Sequence, residues 1–336
     1  MFPRANLCLT VAVLLSAFTA ATPAHARIGL VVGEPFGSFG TMMPVGHASI
    51  YLDHLCVDTP TRLRACRPGE LGAVISRYHD LRSTRTDWLA TPASVFFYGV
   101  DDPAQTPTFI TPPLEAELRE SYRQAHLLSE VPDRIDRHGI AHHPTSGDWA
   151  ESIGAAFDRR LFLYSIATTP EQDAALLVLL NDDPNDRRYT LRRANCADFA
   201  ADLLSLVLPT PLRRNVLADF DMATPKNLAR QLDAVDSSLD LRVYEIPQIP
   251  GTLRRSRPVR GSAESFIKTK RYLFTVLVLQ PEFLLADWIA YESKGKWTPG
   301  RDAAVIQPAD FAGLSTYSLA STSSKIASDP IGFRAK

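Results

Sequence analysis

Two side chains in this sequence are placed to do nucleophilic chemistry together. Cys196 lies in the run Arg193-Ala194-Asn195-Cys196-Ala197-Asp198-Phe199 and heads an amphipathic stretch with Phe199, Leu203, Leu204 and Val207 on one face. Asn195 is among the best N-cap residues, because its side-chain oxygen accepts a backbone N–H of the first turn. A thiol there meets free N–H groups and the positive end of the helix dipole, which favour thiolate. Arg192 and Arg193 add positive charge just upstream, and Asp198 opposes it. Far upstream, His47 opens the strand-like run Gly46-His47-Ala48-Ser49-Ile50-Tyr51-Leu52. With a period of two, Ala48, Ile50 and Leu52 share one face, and His47, Ser49 and Tyr51 take the other. An imidazole beside a thiol is a base for a cysteine nucleophile. The plainer readings are a small buried cysteine at a helix start and a surface histidine. The order of residues does not fix the distance between the two.

Cysteine usage sharpens the first reading. Met1 to Arg4 is a short positive segment, Leu7 to Ala21 is apolar, and Ala24-His25-Ala26 supplies small residues for cleavage after Ala26. Residues 1–26 read as a secretory signal, so the protein is expected to be periplasmic or secreted. Cys8 goes with the leader, leaving Cys56, Cys66 and Cys196. Exported cysteines tend to pair, and Cys56 with Cys66 would close a short loop worth about 3 kcal/mol. Cys196 is then the unpaired thiol, for which chemistry, an intermolecular bridge or burial would each account. The formal net charge of −1 gives no case for nucleic acid or another polyanion.

The elements that must position these residues follow from periodicity. Strands are expected over 28–32, 46–52, 72–78, 94–100, 160–167 and 241–246, with the disulfide loop between the second and third. Helices are expected over 113–128, 169–180, from Cys196 to the stop at Pro209, and 224–232. Thr169-Pro170 and Thr224-Pro225 carry cap and first-turn signals. Gly33 to Gly40 is glycine-rich but lacks the lysine of a phosphate loop. Pro247 to Pro258 reads as a linker and Ser315 to Ser328 as a tail. Tyr272 to Tyr291 is apolar, but Gln280, Pro281, Glu282 and Asp287 favour a soluble helix broken near Pro281 over a membrane span.

The Gly46–Leu52 run followed by Asn195-Cys196-Ala197-Asp198-Phe199 resembles the circularly permuted papain-like superfamily, which includes lecithin:retinol-acyltransferase-like proteins and permuted NlpC-type hydrolases. In that group the histidine strand precedes the cysteine helix, as here. The resemblance spans about Ile28 to Pro209 and extends to bacterial envelope members with a C-terminal extension. It implies an α+β fold with an antiparallel sheet packed against the cysteine helix. Residues 27–211 would form the hydrolase domain and residues 212–336 the extension. It also implies Cys196 as nucleophile, His47 as base, and the Cys196 N–H in an oxyanion region capped by Asn195. A third polar residue on the neighbouring strand would orient the histidine; His79 is the choice, with Glu70 behind it.

The expected activity is a thiol-dependent hydrolase or acyltransferase acting on an amide, ester or thioester, with no cofactor and no metal. Its substrate would be a peptidoglycan peptide or a lipid acyl group, with peripheral contact to the envelope. The alternative is a noncatalytic envelope scaffold that keeps the fold. His138, His142 and His143 lie close together near Asp148, but Gly139 and Pro144 break the helix that a metal motif needs. A serine triad has no nucleophile-elbow motif to rest on.

Overall fold

The computed structural model describes residues 26–37, 44–78, 86–145, 147–235, 239–251, 254–269, 278 and 280–314. The expected signal segment before Ala26, the expected histidine partner His79 and the run Ser315–Ser328 read as a tail lie outside the described residues. Among the described residues no helix is long and apolar enough to cross a membrane.

Of the first six strands, the first, second, fifth and sixth bury side chains on both faces and belong to the main sheet, and the third and fourth pair as a separate hairpin. The six are β1 (Arg27–Gly33), β2 (His47–Leu52), β3 (Leu55–Thr59), β4 (Arg62–Ala65), β5 (Ala73–Arg77) and β6 (Trp88–Pro92). After them come the short hairpin β7 (Arg134–Ile135) and β8 (Ala141–His142), then β9 (Leu161–Ala167), β10 (Arg242–Ile246) and β11 (Ala304–Val305). Among the described residues the main sheet has seven strands in the order β11-β10-β9-β1-β2-β5-β6. Every pair in it is antiparallel except β10 with β11. The fold is therefore α+β with an antiparallel-dominated sheet. Because β10 and β11 pair into it, the sheet runs across the boundary drawn at residue 211.

Helices cover the two faces. Ile28, Leu30, Val32, Ala48, Ile50 and Leu52 share one core with α4 (Pro170–Asp182), α5 (Cys196–Leu204) and α6 (Pro225–Asp233). Val31, Tyr51, Val74 and Leu163 point the other way, against α1 (Ala93–Tyr98) and α3 (Ala155–Asp158). Between those two helices runs α2 (Pro112–Tyr122), started by Thr111, whose hydroxyl accepts the Leu114 N–H. α4 begins with a capping box, Thr169 and Gln172 each accepting the other's backbone N–H. α7 (Ser262–Lys268) and α8 (Pro281–Ala290) follow α6, with Pro281 at the first position of α8.

One expectation is corrected. The run 94–100, expected as a strand, is helix α1, and the strand lies just before it at Trp88–Pro92. An unbroken apolar run buries equally well in either form, so periodicity cannot separate them. Here all six residues of the helix are buried, and Gly99 ends it in the left-handed conformation.

The disulfide joins Cys56 in β3 to the residue following β4, Cys66, inside the insertion between β2 and β5. Glu70, the second choice for a histidine partner, sits in that insertion. It holds Arg64 through two hydrogen bonds of 2.7 and 2.6 Å and the Arg67 N–H at 2.6 Å.

Candidate functional site

The position of Cys196 is set by the side chain before it. Asn195 Oδ1 accepts the N–H groups of Ala197 and Asp198 at 2.8 and 2.9 Å. Asp198 answers by accepting the Asn195 N–H at 3.1 Å. The two Asn195 amide protons go to the carbonyls of Leu191 at 2.8 Å and Ala223 at 3.1 Å. One buried residue thus starts α5 and pins two loops to it. Asp198 in turn accepts from Arg214, at 3.0 Å from Nε and 2.7 Å from Nη2. With Ala197 and Asp198 capped, the Cys196 N–H is the donor left at the helix start, and it is directed at the Tyr189 hydroxyl oxygen.

His47 is set by the strand. Gly46 just before it has φ of +77°, and a β-carbon there would lie 2.4 Å from the Gly33 carbonyl oxygen. Only glycine allows β1 and the start of β2 to approach in this way. The antiparallel register places Gly33 opposite His47. On the other side Ser49 faces Ser76, with a 2.6 Å hydrogen bond between the hydroxyls, so β5 ends beside His47. Tyr78, just past that end, stacks on the imidazole at 4.8 Å with the planes 6° apart. The Arg159 stem lies over Gly33, where a β-carbon would meet it at 3.1 Å. His47 Nε2 is buried and has no hydrogen-bond partner among the described residues.

A cleft of about 640 Å³ opens where β1 ends, β2 begins and β5 ends, and both Cys196 and His47 line it. The Ala48 N–H, one residue from His47, points at the Cys196 sulfur. Thiol and imidazole reach the cleft from opposite faces of the sheet. Ala48 shares a core with Cys196, whereas His47 lies against Tyr78 on the other side. No hydrogen bond joins them among the described residues. Phe36 forms part of the wall, with the Arg159 guanidinium 4.8 Å and that of Arg254 5.7 Å from its ring centre. Arg159 also bonds Glu151 at 2.8 Å. Arg254 ties the wall to a buried charge cluster through Asp158 and Glu115.

Burial decides the protonation states. The Cys196 thiol is pushed up to about 11, first by burial and also by Asp198. The amides of Ala48, Ala197 and Cys196 itself pull the other way and are outweighed. His47 is pushed down to about 3 by burial and then by Arg159. The expected thiolate at the helix start is therefore a neutral thiol, lining the same cleft as a neutral imidazole. The dipole and amide contribution, typically 0.3–1 kcal/mol, does not offset removal of the sulfur from water.

The structure brings together Cys196, His47 and Asn195 and leaves Glu70 in the disulfide insertion. His142 and His143 are exposed, paired at 3.0 Å with Asp136 and at 2.9 Å with Asp133. Sequence reading did not find Tyr78, Tyr189, Arg159 or Phe36. Tyr78 was within reach of it, since the register that selects residue 79 as a neighbour of His47 passes through residue 78. No local motif marks the other three. Comparison with protein-family models, curated proteins and solved structures finds no match for this chain.

Two outcomes follow. Asn195→Asp keeps the capping oxygen but removes both amide donors, so it should lower stability by about 1–3 kcal/mol in urea unfolding. Equal stability would show that the Leu191 and Ala223 tethers are idle. His47 titrates far lower folded than unfolded, so the unfolded chain binds the extra proton between about pH 6.5 and 3. Its contribution is complete above that window and is lost as pH falls. Relative to His47→Gln, the wild-type melting temperature should drop on acidification below pH 6.5 and run parallel above pH 7. Parallel curves throughout would contradict a buried neutral His47.

Proposed function

We propose that this protein is an exported thiol-dependent hydrolase or acyltransferase of the permuted papain-like type, acting on an amide, ester or thioester. The observation that carries the reading is a capped helix-start cysteine lining the same cleft as a strand-start histidine. The His-before-Cys order and the antiparallel sheet against the cysteine helix support it.

The chemistry starts from the neutral pair. The Cys196 sulfur attacks the substrate carbonyl while its proton passes to His47. Base–nucleophile contacts in empty sites are often long and tighten with substrate. The carbonyl oxygen gains charge beside the Cys196 N–H, displacing or sharing the Tyr189 hydroxyl, and that amide lowers the barrier. The carbon–heteroatom bond then breaks and the leaving group takes the proton from His47. A thioester remains on Cys196, and water or an acceptor nucleophile, deprotonated by His47, releases the acyl group. Tyr78, stacked on the ring, helps to hold the imidazole plane. Phe36, Met222 and Leu191 give the cleft an apolar wall, and Arg159 and Arg254 with Asp148 and Glu151 a wall of mixed charge. Such walls suit an acyl chain or acylated peptide that carries a polar head.

The alternative, a noncatalytic envelope scaffold, is favoured by the raised thiol and by the lack of a hydrogen bond between Cys196 and His47. The test is turnover and covalent trapping on a panel of lipid esters, acyl thioesters and muropeptides. The catalytic reading expects a hydroxylamine-labile acyl adduct on Cys196. It also expects loss of turnover in Cys196→Ala and a fall of about 10²–10⁴-fold in His47→Ala. Turnover that survives Cys196→Ala would contradict it, and a folded protein that binds panel members without adduct or turnover would favour the scaffold.

A further inference from the structure

Helix α8 exposes three large apolar side chains and buries an acid. Leu285, Trp288 and Ile289 are 61%, 51% and 55% exposed, and their spacing puts them on one face. Asp287 is turned inward, 2% exposed, and neither carboxylate oxygen has a hydrogen-bond partner among the described residues. Tyr291, one turn on, is also buried, with its hydroxyl 2.8 Å from Lys268 Nζ. A helix facing water places its charges outward and its apolar face on the core. A buried carboxylate without a partner is costly, and burial pushes that of Asp287 up to about 7. This orientation fits surroundings that are apolar on the outside.

The neighbouring segments continue the surface. Phe220 lies 5.8 Å from both Phe266 and Phe283, which joins the loop before α6 to α7 and α8. Val216 and Leu217 on that loop are 66% and 59% exposed. Arg193 binds Asp221 at 2.6 Å, which adds the loop before α5, where Leu191 is 49% exposed. Exposed arginines are interleaved with these apolar residues. Arg188, Arg192 and Arg213 have no ion pair with described residues, while Asp198, Asp202 and Asp221 are taken by Arg214, Arg187 and Arg193. Among the exposed acids, Asp182 and Asp186 lie at the far end, Glu282 opens α8 on the same face as Leu285 and Ile289, and Glu292 just past α8 is paired with Lys296. Tyr189, Leu191, Met222 and Ser262 of these same segments line the cleft, so its mouth opens along the margin of this surface.

We infer that this surface docks on an anionic lipid bilayer, with Leu285, Trp288 and Ile289 in the headgroup–acyl boundary and Arg188, Arg192 and Arg213 on lipid phosphates. Aliphatic and tryptophan side chains flanked by cations are what such an interface holds. The arginines supply the charge complement to an anionic leaflet. A second copy of the chain or an apolar protein partner would match the apolar face alone and leave the arginines without a counterpart.

The test is flotation of the full chain with vesicles of phosphatidylethanolamine and phosphatidylglycerol, against vesicles of phosphatidylcholine alone. The leader is common to every variant, so the differences report this surface. Partition of Leu285→Asp/Trp288→Asp/Ile289→Asp is expected to fall at least tenfold. Arg188→Glu/Arg192→Glu is expected to lose several-fold at low salt, with the loss fading at high salt. Trp288→Ser, a single exposed change, guards against misfolding of the triple variant and should lose partition with an unchanged melting temperature. Cys196→Ser should float like wild type, which separates this inference from the catalytic reading. Unchanged partition in the α8 variants would overturn it. So would a wild-type dimer that fails to bind either vesicle and becomes monomeric in the triple variant.

Discussion

The Asn195 side chain is the interaction on which the rest of the site depends. It accepts two amides of α5 and donates to the carbonyls of Leu191 and Ala223, while its own N–H goes to Asp198. No other residue type offers an acceptor and two donors in that small a volume, and Gln would overshoot by a methylene. The clamp fixes where the helix begins and therefore where the thiol stands. It also commits the Ala197 and Asp198 amides, so the Cys196 N–H is the donor left for a developing oxyanion. The loops it pins carry Tyr189, Leu191 and Met222, three pieces of the cleft wall.

A sheet buried on both faces imposes the second constraint. Its interior has little tolerance for separated charge, so cysteine and histidine rest as neutral groups. A neutral pair avoids the desolvation that a buried thiolate–imidazolium pair would meet, and it defers charge separation until a substrate carbonyl can share it. The charges that line the cleft are paired: Arg77 with Asp87, and Arg159 and Arg254, which bracket Phe36, with Glu151, Asp158 and Glu115.

Much of this was legible in the sequence because it rests on local rules. Asn before Cys is a cap signal, and the structure shows the cap. Alternation in Gly46–Leu52 gave the strand and its faces, and the spacing of Cys56 and Cys66 gave the disulfide. Where information is non-local, the reading stops. Tyr78 stacks on His47 because two strands pair in one register, and the charge of Arg159 acts on His47 because Gly33, opposite it in the register, leaves room for the arginine. The apolar run 94–100 reads as strand or helix alike until the sheet above it is known. The sign of the Cys196 shift was misjudged for the same reason. Helix-start chemistry is visible locally, whereas burial is a property of the whole fold.

The central claim is a neutral, deeply buried thiol held at a capped helix start. The rate of Cys196 alkylation by iodoacetamide across pH 6 to 12 in the folded protein tests it most directly. The account predicts slow reaction at neutral pH and a rate still rising beyond pH 9, with a midpoint near 11. A rate that levels off at or below the ordinary thiol range of about 8.5 would contradict it, since it would mean that the thiolate is already present at rest.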